Sequence, residues 1–431
     1  MFFLLIGAYT LMKELQSSVF MTMVGVEYVP IAKALSFIIV IPVVFFYSYC
    51  VDKYTNRVLL GYSLLLVGLL GAVFTIICGH ETIGLYNKCK NTMRITGWLF
   101  YWYIDAFFPL FVSTFWAFTN SLHNTDEAKK SYSFFVTSSK LGGMCAALLG
   151  YFFSKSFVFN ITDVTRTQSL MSVSVFCIVL SGILVLCFGS QKQLLKPLDV
   201  GNLPQKKYNK KDKKIDVLDG LKILIRKPYT LGIFATVFCF EIVNQIINYQ
   251  RLIFNDVAAA SNLGDLNSML FGQIFFTHAC GLVISIIGTT FFLNVLGIRK
   301  SLVLVPVFIF ALVMGFLITK SARELMIAYT GVHVLSYALA YPLRENLYVI
   351  TSRDIKFKVK AWIDSIGAKS AKLSGQGVNK FLVDIGAKYG INAFNHWTAA
   401  IFVVIIAVWI FVAVLLGKKY HSSVQKGEII E

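Results

Sequence analysis

The stretch "KAWIDSIGAKSAKLSGQGVNKF" (360–381) lies between two hydrophobic runs, yet it carries four lysines and an aspartate among alanines, glycines and serines. Its reading decides the fold. As a solvated loop, a re-entrant segment or a surface helix it leaves eleven membrane crossings; as a charged membrane helix it makes twelve. At helical spacing Lys369, Lys372, Gln376 and Lys380 share one stripe, and Gly367, Ala371 and Gly375 form another at i, i+4. Small residues let a helix pack closely on its neighbour, while the basic stripe beside them can face water. Eleven crossings would also strand Lys418 and Lys419 on the side opposite the other basic loops. The stretch therefore reads as a membrane helix.

The rest of the chain agrees. Its 431 residues are 57% hydrophobic and only 14% charged, with a mean hydropathy of +0.69. That balance excludes an ordinary soluble globule and points to an all-α polytopic membrane protein. Apolar segments fall near 1–24, 29–50, 58–80, 95–121, 131–156 and 167–190, then near 229–255, 266–295, 301–319, 324–350, 361–387 and 394–417. The opening residues lack a basic leader and a small-residue cleavage site, so they read as a first span. The predicted organisation is a six-helix bundle over 1–190, a basic linker over 191–228, a second six-helix bundle over 229–417 and a tail over 418–431. Parallel six-helix repeats around a central linker are the pattern of major-facilitator-like transporters.

Orientation follows from charge. The loops 51–57, 122–130, 191–227, 296–300, 351–360 and 418–431 hold 24 Lys and Arg, about three times as many as the loops on the other side. By the positive-inside rule both termini and the linker face the cytoplasm. The same rule accounts for the net charge of +18, so no nucleic-acid partner is inferred. The eight cysteines show neither a CxxC nor a Cys/His spacing, which gives no metal site and no disulfide framework. No P-loop, HExxH or GxSxG occurs, so neither an enzyme nor a bound cofactor is expected. "GGMCAALLG" (142–150) reads as a packing face.

A charge at the centre of a membrane helix costs roughly 2.5–3.5 kcal/mol on insertion scales, so each one present is informative. Spans 3, 6, 8, 9 and 12 have none inside. The others hold eight cations: Lys13, Lys33, Lys140, Arg251, Arg344, Lys369, Lys372 and Lys380. Five acids are deep enough to pair with them: Glu14, Asp105, Glu241, Glu345 and Asp364. In the facilitator layout, helices 1, 4, 7 and 10 line a cavity, 2, 5, 8 and 11 flank it, and 3, 6, 9 and 12 face lipid. The charges follow that division. A surplus of buried cations suits an anion, and a polyphosphate offers several charges and many acceptor oxygens. Tyr101, Trp102, Tyr103 and Trp116 could stack on a base or simply pack.

Four stretches carry a resemblance to a known family: "FWAFTNSLHNTDEAKKSY" (115–132), "AYTLMKELQSSVFMT" (8–22), "KVKAWIDSIGAKSAKLSGQG" (358–377) and "FEIVNQIINY" (240–249). The sequence resembles the nucleotide transporters of plastids and of obligate intracellular bacteria and parasites, the bacterial and plastidic ATP/ADP antiporters. The resemblance runs along the whole chain in order. It implies nucleotide exchange, most simply ATP for ADP, in the inner membrane of an intracellular bacterium or parasite. The family's charged transport positions fall on Asp105, where a glutamate is usual, on Glu241 and on Lys360. A family lysine of span 1 aligns with Gln16, with Lys13 one turn away. The expected substrate-binding residues are Lys13, Lys140, Arg344, Lys360, Lys369 and Lys372. Glu14, Asp105, Glu241, Glu345 and Asp364 are the expected coupling and ion-pair residues. The protein is expected to act as a monomer in the lipid bilayer. A proton-coupled carrier of another nucleotide, NAD or a phosphorylated metabolite is the alternative.

Overall fold

The computed structural model describes residues 1–120, 125–155, 161–188, 219–352 and 355–430. Helix is the only regular secondary structure among them, apart from one bridge between Thr351 and Ile430. The first half contributes α1 (Phe2–Met23), α2 (Val29–Lys53), α3 (Asn56–Cys78), α4 (Ile95–Asn120), α5 (Thr125–Ser154) and α6 (Asp163–Phe188). After a short amphipathic α7 (Asp219–Arg226) come α8 (Pro228–Ala258), α9 (Leu263–Thr319), α10 (Ala322–Leu335) and α11 (Tyr341–Val349). The chain ends with α12 (Lys360–Trp362) and α13 (Ala368–Lys426).

Helix is what lipid demands, because a spanning segment must satisfy its own backbone polar groups. Eight segments among the described residues are long and apolar enough to cross a membrane. The remaining passages are α1, α5, α10 with α11, and the first part of α13, and these bear many of the polar and charged positions. The outer faces of α2 and α3 expose Ile38, Phe45, Phe46, Leu69 and Ile76, as a lipid-facing surface requires.

Several predicted loops are helical instead. Within 122–130, helix begins at Thr125. The turns expected at 296–300 and after 387 are single-residue breaks at Gly297 (φ 68°, ψ 166°) and Gly390 (φ 84°, ψ 175°) inside otherwise continuous helices. Only glycine adopts that backbone readily, so one residue replaces a loop. The expected tail is helical to Lys426, after which Ile430 N–H donates to the Ile350 carbonyl at 2.9 Å. The linker expected over 191–228 lies outside the described residues as far as 218; its end forms α7.

Two hydrophobic cores result. One is built on α1 to α6, and it also takes in Tyr249, Leu252, Ala259, Leu263, Leu266, Leu270 and Phe271 from the second half. The other belongs to the second half alone. The halves therefore share apolar packing at one end, where α8 runs into α9. The small-residue face of α5 makes the close approach: a Cβ on Gly150 would lie 2.6 Å from the Phe271 ring, and one on Gly143 would lie 2.6 Å from the His278 imidazole.

Candidate functional site

A chamber of about 540 Å³ lies between the halves. Lys13 and Glu14 enter it from α1, Lys33 from α2 and Lys140 from α5. Asn244, Gln245, Asn248 and Arg251 enter from α8, His278 from α9, and Tyr329 and His333 from α10. Helical spacing sets this convergence: Asn244, Asn248 and Arg251 recur at i, i+4 and i+7 on one face of α8.

Lys13 is tied down. Its Nζ lies 2.5 Å from Asp105 Oδ1 on α4 and donates to Gln16 Oε1 at 2.8 Å. Gln16 in turn donates to the Tyr101 carbonyl at 2.6 Å. Pro109 shapes α4 here, because it has no N–H to give the Asp105 carbonyl one turn earlier. Glu14 reaches across the halves to Arg251, whose guanidinium also stacks on the Tyr329 ring at 4.4 Å. Both members of that pair are buried, and Arg251 Nε and Nη1 have no hydrogen-bond partner among the described residues.

A smaller recess lies in the second half, lined by Glu241 on α8 and Arg344 on α11. Lys372 Nζ stands 3.8 Å from Glu241 Oε1. Lys33, on the chamber wall, lies within electrostatic reach of Lys13, Asp105, Lys372 and Glu241. It makes no hydrogen bond or ion pair among the described residues. Gln376 donates to Gln245 Oε1 at 2.7 Å and Asn379 to the Gln245 carbonyl at 3.2 Å, which seats α13 against α8.

The expected residues thus divide. Lys13, Glu14 and Lys140 line the chamber with Asp105 behind them; Glu241 and Arg344 line the recess with Lys372 beside it. Arg344 Nη2 is 3.6 Å from Asp364 and its guanidinium lies 4.9 Å from the Tyr341 ring. Lys360 is held by Glu345 and lies over the Tyr348 ring, outside both spaces. Lys369 is exposed. The basic stripe predicted on the opening stretch does not act as a unit: Gln376 and Lys372 face α8, whereas Lys380 pairs with Asp384 on its own helix, away from the chamber. Among the aromatics, Tyr101 and Trp116 reach the chamber. Trp102 donates to the Ala32 carbonyl and Tyr103 to the Val67 carbonyl, so these two are packing anchors. Lys33 and Arg251 were countable as interior cations, but nothing in the sequence assigned them a role. His278 and His333 carried no local signal at all.

Other polar contacts join the halves where α8 meets α9. Lys90 pairs with Asp256 at 3.3 Å, Tyr249 donates to the Val26 carbonyl at 3.3 Å, and Asn267 donates to Thr167 Oγ1 at 3.0 Å.

Comparison with known proteins brings these features together. The sequence profile of the TLC ATP/ADP transporter family matches residues 1–253. ADP,ATP carrier protein 4 of Rickettsia typhi is 22% identical over 98% of this chain and 91% of its own length. ADP,ATP carrier protein 3 of Rickettsia bellii is 21% identical over 71% of this chain, and the match spans 66% of that protein, just under two thirds. Among solved structures, a D-xylose-proton symporter superposes with a TM-score of 0.61 at 12% identity, covering 97% of this chain and 94% of that one. The nucleoside transporter NupG superposes with a TM-score of 0.55 at 11% identity, covering 98% and 97%. At such identities the two structures speak for the fold, a major-facilitator-like arrangement of two six-helix bundles.

Proposed function

Because the chain belongs to the TLC ATP/ADP transporter family, we propose that it exchanges nucleotides across the membrane, ATP for ADP, by alternating access of the chamber between its halves. The carrying observation is the chamber's charge: Lys13, Lys33, Lys140 and Arg251 converge there against one lining carboxylate, Glu14, with Asp105 behind Lys13. A polyphosphate suits that surplus, since charge-assisted hydrogen bonds to it are worth about 1.5–3 kcal/mol each. In this reading Lys33, with Lys13 and Lys140, meets the phosphates on entry. Lys372 and Arg344 join them as their bonds to Glu241 and Asp364 exchange for bonds to substrate. Asp105 and Glu241 then recapture Lys13 and Lys372 when the site empties, as they hold them here. The protein acts as a monomer, with both termini on the cytoplasmic side, as its basic loops indicate.

The test is reconstitution into vesicles loaded with ADP, followed by uptake of labelled ATP. Exchange should be rapid with internal ADP and fall at least about tenfold in Lys372→Gln, the loss of one such bond. Normal exchange in a correctly inserted Lys372→Gln protein would remove this residue from the site. His278 and His333, two imidazoles on the chamber wall, favour a second reading in which nucleotide or another phosphorylated anion enters with protons. Uptake driven by a pH gradient without internal ADP would select it.

A further inference from the structure

A second space lies at the opposite end of α8 from the shared apolar packing, between its first turns and the last turns of α13. Small residues create it. Gly232 and Ala235 leave a gap that larger side chains would close, and a Cβ on Gly232 would already stand 3.2 Å from Leu416 Cδ1. The trough holds about 760 Å³. Leu231 and Leu415 form its flanks, 45% and 51% exposed on membrane-spanning helices, so its side opens towards acyl chains. The residues after α13 roof it: Ile430 is pinned by hydrogen bonds with Ile350 and Ser352, both 2.9 Å, which holds Glu428 and Ile429 over the trough.

Lys227 and Lys419 stand at its mouth, both exposed, and neither makes an ion pair among the described residues. We propose that this trough binds one anionic phospholipid, with an acyl chain between α8 and α13 and the phosphodiester on Lys227 and Lys419. Three features converge on that occupant. The walls are apolar where a chain would lie. The ammonium groups stand at the helix ends, the depth at which headgroups sit. Among the described residues that line the trough, two lysines against the Glu428 carboxylate leave one net positive charge, which suits the single negative charge of a phosphatidylglycerol-type headgroup. Free phosphate would use the lysines but not the apolar walls. This site is independent of the transport reading, since it shares no residue with the chamber.

Native mass spectrometry of the full-length protein in mild detergent tests it, with phosphatidylglycerol, phosphatidylcholine and inorganic phosphate as probes. One phosphatidylglycerol should be retained in preference to phosphatidylcholine. Retention should fall about fivefold for each lysine neutralised in Lys227→Gln and Lys419→Gln. Ala235→Trp fills the trough while keeping both charges, and it should lower retention as well. The lysines are exposed, so their variants fold; thermal unfolding without lipid checks this for all three. Equal retention of phosphatidylcholine, displacement by inorganic phosphate, or unchanged retention in the lysine variants and in Ala235→Trp would each overturn the proposal.

Discussion

Lys13 and Lys33 carry the same charge on neighbouring helices, but their surroundings make them different instruments. Lys13 is half of a short pair with Asp105, braced by Gln16, whereas Lys33 has only long-range company. Removing one side of this half-buried pair, 33% and 12% exposed, costs about 1–3 kcal/mol, because the remaining Lys13 loses its partner but still faces the chamber. Asp105→Ala should therefore lower thermal stability in detergent by an amount of that order. Lys33→Gln breaks nothing, so it should unfold within about 1 kcal/mol of the parent, as substitutions away from packed or paired groups do. Nucleotide uptake should nevertheless fail in Lys33→Gln if that lysine is the cation left free for phosphate. A large stability loss in Lys33→Gln, or unchanged uptake, would show that the free-cation argument is wrong. The sequence displays both lysines equally well. What it cannot display is pairing, because the partner of Lys13 lies 92 residues away and its position depends on how α4 bends at Pro109.

At the scale of elements, the number of membrane passages was readable from hydropathy and charge, but their ends were not. Hydropathy falls at every polar turn, and it cannot distinguish a loop from a helix that changes direction at one residue. Gly297 and Gly390 do the latter. Nor did the periodicity reveal the π-helical turns at Ser336–Ala340, Ile355–Val359 and Ile363–Gly367, which insert extra backbone beside Arg344, Lys360 and Asp364. Such wide turns often accompany functional positions, and here they shift the face on which the next charged residue emerges. The glycine breaks allow a clean test. A Cβ at Gly390 would meet no atom within 4 Å, so any penalty there comes from the backbone alone. Gly390→Ala should cost about 1–3 kcal/mol. Gly377→Ala, equally open but inside regular helix, should stabilise by about 0.5–1 kcal/mol. Thermal unfolding of the two variants side by side decides it, and equal effects would mean that the break at Gly390 is not strained for an alanine.

For the whole molecule, the shared core and the polar contacts place the meeting of the halves at the end where α8 runs into α9. Facilitator symmetry in the sequence announces two bundles but not which end is shut, since both ends are written with similar apolar residues. The structure supplies a latch candidate. Glu14 and Arg251 are buried against each other across the interface, and Tyr329 caps the guanidinium. In a state open at this end, both charges would reach water. Removing one partner therefore penalises only the closed state, by about 3–5 kcal/mol, which is enough to shift a two-state population by two orders of magnitude or more. A reporter cysteine at Ser17, on the chamber wall, reads that shift once Cys89, Cys145, Cys187 and Cys280, the exposed native thiols, are replaced by serine. A membrane-impermeant maleimide added on the side of the Lys90–Asp256 contact should leave the parent protein unlabelled and should label the Arg251→Gln variant. Exchanging the two charges, Glu14→Arg with Arg251→Glu, should restore much of the protection, because the swap rebuilds attraction across the same interface. Labelling that ignores Arg251→Gln would mean that apolar packing around Phe271 shuts this end unaided, and the ion pair would then be a positioning device for the chamber and not its latch.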